Sequence, residues 1–103
     1  MQMLLIALIS ATVATQAAAA GICVQNASAT GYVFVAHADD GTREVADLAS
    51  GEILCSAGDA KGTVAVFASR DDLEGCSRRI PANTTERLIL FPHVDLCTWE
   101  RMR

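Results

Sequence analysis

From position 22 onward the apolar residues come in short clusters, such as Tyr32-Val33-Phe34-Val35-Ala36 and Val64-Ala65-Val66-Phe67-Ala68. Segments rich in Gly, Asp, Asn, Ser and Pro separate them. No stretch keeps an apolar residue at every third or fourth position through three helical turns, so the pattern predicts strands. They fall at 22–26, 32–38, 43–48, 52–56, 63–68, 76–80, 87–91 and 94–99. Segment 63–68 is apolar on both faces, as a central strand requires. Ser69 is placed to cap one helical turn through Leu73, with Gly75 at its exit. Pro81 and Pro92 stand at breaks, where a missing amide costs no ladder bond.

The sharpest local signal is Asp40-Gly41, the dipeptide of a two-residue type I′ hairpin in which both positions take positive φ. That turn sets His37 opposite Glu44, Val35 opposite Ala46 and Val33 opposite Leu48 on one face. Phe34, Ala36 and Val45 then share the other. Packed in two layers, so many short strands predict an all-β domain, a small antiparallel β-sandwich or barrel of about eight strands.

The first 20 residues break this pattern. Residues 3–14 are almost wholly apolar, and Gln16 to Ala20 supplies an Ala-x-Ala site before Gly21, which predicts a cleaved signal peptide over 1–20 and a single domain over 21–103. The start Met1-Gln2-Met3 lacks the usual Lys or Arg. Ser10, Thr12, Thr15 and Gln16 interrupt the stretch, which argues against a retained membrane anchor. Ile22 before Cys23 argues against a lipoprotein. Export to the periplasm or the medium follows, and the excess of Arg over Lys with abundant Ala matches high-GC bacterial coding.

Export changes how the four cysteines are read. Cys23, Cys55, Cys76 and Cys97 are 32, 21 and 21 residues apart, too far for a redox pair or a zinc knuckle. Two disulfides are expected, with three connectivities open. Pairing Cys23 with Cys55 and Cys76 with Cys97 closes the shortest loops and is preferred on that ground, at about 3 to 4 kcal/mol each. A domain of this size needs such staples.

All charged residues lie beyond position 20, so the domain carries the whole net charge of -4, which argues against nucleic acid as partner. Candidate chemistry is sparse. No nucleophile elbow, zinc-protease helix, phosphate loop or dinucleotide fingerprint is present, and no segment resembles a known family closely enough to lend it an activity. His37 with Asp39 and Asp40, and His93 with Asp95, have metal-ligand chemistry, but the hairpin turn explains the aspartates and Glu44 explains His37; no metal or cofactor is expected. Serines at turns and the run Asp71-Asp72-Leu73-Glu74 read as local backbone bonding and a solvated turn. Asn26-Ala27-Ser28 and Asn83-Thr84-Thr85 match the glycosylation pattern and are read as turns.

The basic residues Arg78, Arg79 and Arg101, with Trp99, form the candidate binding set for an anionic or aromatic group. The blander account packs Trp99 against a Cys76–Cys97 bridge and leaves the arginines to protect an edge strand. The function expected is an exported, non-catalytic binding or structural module, with an extracytoplasmic protein as partner and no membrane span after signal cleavage. The alternatives are a periplasmic inhibitor of a hydrolase and, behind it, a small metal-dependent or hydrolytic enzyme.

Overall fold

The structure, a computed structural model, describes residues 21–92 and 96–101; the expected leader, His93, Asp95 and Arg103 lie outside the described residues. Eight strands follow in chain order: β1 (Ile22–Asn26), β2 (Tyr32–Ala38), β3 (Arg43–Leu48), β4 (Ile53–Cys55), β5 (Gly62–Phe67), β6 (Cys76–Ile80), β7 (Thr84–Leu90) and β8 (Thr98–Trp99). There is no helix among the described residues. The helical turn expected at Ser69 is a single turn closed by the Asp72 amide on the Ser69 carbonyl at 3.3 Å. One hydrogen bond does not offset the cost of helix nucleation on a run of exposed polar residues.

The strands form two four-stranded sheets, in the orders β4-β1-β7-β8 and β3-β2-β5-β6, giving a sandwich-like arrangement. The sheets are not wholly antiparallel as expected. β1 lies between β4 and β7 and runs parallel to β7, from Ile22 beside Thr84 to Asn26 beside Leu88. A parallel neighbour needs a long crossover, and the five strands between β1 and β7 supply it.

Between β2 and β3 the register differs by one residue from that expected. His37 pairs with Arg43, Ala36 with Glu44, Val35 with Val45, Phe34 with Ala46, Val33 with Asp47 and Tyr32 with Leu48. The cause is the turn. The Ala38 amide donates to the Thr42 carbonyl at 2.9 Å and the Gly41 amide to the Ala38 carbonyl at 3.0 Å, so the loop holds three residues, Asp39, Asp40 and Gly41. Only Gly41 has positive φ, at 96°. This is the three-residue hairpin that ends on a left-handed glycine, and it also exploits Asp-Gly. His37 thereby loses Glu44 as its neighbour.

The core draws on both sheets: Ile22, Val24, Leu88 and Trp99 from one, and Phe34, Ala36, Leu48, Val64, Val66, Cys76 and Ile80 from the other, with Phe91 and Cys97. Tyr32 closes one end, its ring edge-on to Phe91 at 5.1 Å and its hydroxyl donating to the Phe91 carbonyl. Asn26, fully buried, directs the chain from the first sheet to the second. Its Nδ2 donates to the carbonyls of Thr30 and Leu48, and its Oδ1 accepts from the Ser28 amide and hydroxyl. Asn83, exposed with φ of 64°, is a turn residue. The disulfides are Cys23–Cys55, which staples β1 to β4, and Cys76–Cys97, which ties β6 to the segment before β8. No cysteine is free.

Candidate functional site

Strand alternation decides what the second sheet shows to its surroundings. Phe34, Ala36, Val64 and Val66 point into the core, so Val33, Val35, Ala65 and Phe67 point the other way. Val33 faces Phe67 across β2 and β5, and Val35 faces Val45 on one side and Ala65 on the other. The result is an apolar strip on the side of the sheet away from the core, where alternation in an antiparallel sheet ordinarily puts polar residues, although Val33, Val35 and Ala65 are themselves only 6 to 7% exposed. A notch of about 290 Å³ opens over Val33, Val35, Val45 and Phe67, rimmed by Arg43, Ser69, Arg70 and Asp72.

The β5–β6 connection forms one wall of this notch, and residues 68–74 form an unbroken exposed run. Both ends of that run contact the sheet, the exit more closely than the entrance. Arg70 Nη2 bonds Asp47 Oδ2 on β3 at 3.0 Å, and the Ser69–Asp72 turn folds the chain back. At the exit, a Cβ on Gly75 would collide with the Val66 carbonyl and stand 2.7 Å from the Phe67 ring, so only glycine lets the chain pass this close to β5. Cys76 follows at once, held to Cys97. Leu73, at the apex, is 95% exposed. Asp71, Asp72 and Glu74 flank it, with no ion-pair partner among the described residues.

The residues singled out from the sequence are not gathered in one place. Trp99 is 3% exposed and belongs to the core with Cys76 and Cys97. Arg78 and Arg79 are neighbours on β6, an edge strand, and point to opposite faces. Arg78 turns inward toward Glu86 on β7, Nε to Oε2 at 3.6 Å. Arg79 turns outward and grips Asp39 through two bonds of 2.7 and 2.8 Å, with a third to Thr63. That grip holds the Asp39 carboxyl below the ordinary carboxylate range and raises the Arg79 guanidinium. Asp40 is lowered too, first by the hydrogen bond from the Thr42 amide. Arg101 is exposed.

Glu86 is the least expected member of the interior. It is 1% exposed, its Oε1 accepts from the Arg87 amide, and its Oε2 has no hydrogen bond. No group of three or more His, Cys, Asp or Glu side chains is gathered among the described residues, and they include no helix long and apolar enough to cross a membrane.

The chain matches no protein-family model, no curated protein and no solved structure. Its chemistry must therefore be read from its own surface. In the sequence Leu73 reads as part of a solvated turn, because a single leucine among acids joins no apolar run. The signal available was its isolation between Asp72 and Glu74. Alternation already puts Val33 and Val35 on one face and Phe34 and Ala36 on the other; the hairpin register misplaced only Val45, which pairs with Val35.

Proposed function

We propose that this protein is an exported, non-catalytic binding module that engages a partner protein through the Leu73 loop and the adjoining outer face of the β3-β2-β5-β6 sheet. The observation that carries this reading is Leu73, a large apolar side chain left 95% exposed on a loop that contacts the sheet at both ends. An isolated leucine in solvent gains nothing, whereas the same leucine seated in a partner's pocket recovers roughly 2 to 3 kcal/mol of burial. Contacts at both ends of the loop lower the entropy lost on association. Export is supported by the apolar leader, and two disulfides fit an oxidising compartment. The small two-sheet sandwich serves as the rigid mount.

The test is differential capture from the extracytoplasmic fraction of the native source. Wild-type protein should retain a discrete partner that Leu73→Asp does not, while circular dichroism and thiol counts of the two stay equal. Identical retained sets would contradict the reading.

A further inference from the structure

We infer that the protein forms a two-fold symmetric homodimer in which β3 pairs antiparallel with β3 of a second copy, centred on Val45. The inference goes beyond the binding reading above and does not depend on it. Its first ground is a row of open backbone groups. Antiparallel pairs alternate between those that exchange hydrogen bonds and those that do not. The Ala38 amide bonds the Thr42 carbonyl, whereas the Asp39 amide turns the other way, to the Lys61 carbonyl. Followed along the β2–β3 register, this alternation bonds Glu44, Ala46 and Leu48 to β2 and points the amides and carbonyls of Arg43, Val45 and Asp47 to the free edge of the sheet. Such an edge is a template for another strand.

The charges on β3 select a second copy of β3 as that strand. When β3 pairs with itself, residues with outward groups must stand opposite one another, which excludes a slip of one residue. With Val45 opposite Val45 of the second copy, Arg43 meets its Asp47 and Asp47 meets its Arg43. All three outward residues then have bonding partners, and both flanking pairs join opposite charges. Glu44 falls opposite Ala46. A slip of two residues toward the turn sets Glu44 against itself, and one the other way sets Val45 against Asp47. Asp47 has room for a second guanidinium, since only its Oδ2 accepts from Arg70 and its side chain is 72% exposed. Arg43 is exposed, with no ion-pair partner among the described residues. The other sheet ends lack this match. β4 has three residues and β8 two, and β6 paired with itself about or between its arginines sets arginine against arginine. The two-fold axis stands perpendicular to the joined sheet, so both copies turn their notches to the same side.

The experiment is sedimentation of the disulfide-bonded protein. Between about 1 and 300 μM its mass should move from that of one chain to that of two, with a midpoint below about 100 μM. Arg43→Asp alone and Asp47→Arg alone each set like charges opposite at both flanking pairs, and should raise that midpoint by about 10-fold or more. An equimolar mixture of the two variants restores opposite charges at both pairs, so a heterodimer should form with a midpoint near that of wild type. Both positions are exposed, and circular dichroism checks that each variant folds. Wild type that stays monomeric throughout, a dimer that neither variant weakens, or a mixture that stays monomeric would each overturn the inference.

Discussion

At the scale of single residues, the hairpin depends on one backbone angle. Gly41 sits at φ of 96° with nothing within 4 Å of where a Cβ would be, so a larger residue there is opposed by the backbone alone. Gly41→Val should cost more than about 1 kcal/mol in urea unfolding, because a β-branched side chain strongly disfavours positive φ. Beside it, Asp39 titrates with a lowered folded-state pKa through its bonds to Arg79. The stabilisation from that group is complete above the unfolded value near about 3.9 and is lost as pH falls through the folded value. Urea midpoints followed from pH 6 downward should therefore separate wild type from Asp39→Asn near neutrality and converge in acid. A constant separation would contradict the assignment. In the interior the logic is different, since Glu86 is buried and Arg78 is its ion-pair partner. Removing Arg78 alone strands a carboxylate, so Arg78→Ala should cost roughly 3 kcal/mol. The paired replacement Arg78→Met with Glu86→Leu should bring stability back to within about 1 kcal/mol of wild type or above it. A double-mutant cycle by chemical unfolding distinguishes these.

At the scale of elements, the β5–β6 connection owes its shape to what holds its ends. Breaking the Cys76–Cys97 bridge with serines frees the exit of the loop, and amide hydrogen exchange over 68–75 should accelerate while that over β2 and β5 changes far less. The elements also show how much the sequence declared. Apolar clusters bounded by turn residues put strands near all eight observed positions, because burial on a pleated face leaves a local imprint. The disulfide pairing preferred for its short loops is the one found. Register was less legible: Asp-Gly serves a two-residue and a three-residue loop alike, and one residue of difference exchanges His37's neighbour Glu44 for Arg43. The parallel neighbour of β1 left no local mark, since pairing across five intervening strands is decided by the whole core. Arg78 and Arg79 read as one basic cluster along the chain, yet alternation sends one inward to Glu86 and the other outward to Asp39. Glu86 left no mark in the sequence, because its partner lies on the other sheet.

At the scale of the whole molecule, two sheets around one core give two outward faces, and they differ. The outer face of the first sheet carries Thr85 and Arg87 beside Gln25, with the Cys23–Cys55 bridge at one end. On the side of the second sheet, Val33, Val35 and Ala65 are nearly buried and the exposed apolar group is Leu73 on its loop. Partner contact is therefore proposed for one side of the molecule only. The most direct measurement is site-specific photo-crosslinking in the native extracytoplasmic compartment. A photoreactive side chain is placed either at position 73 or at position 85, an exposed position on the other sheet. A discrete covalent adduct is expected from position 73 and none from position 85. No adduct from position 73, or the same adduct from both, would contradict it.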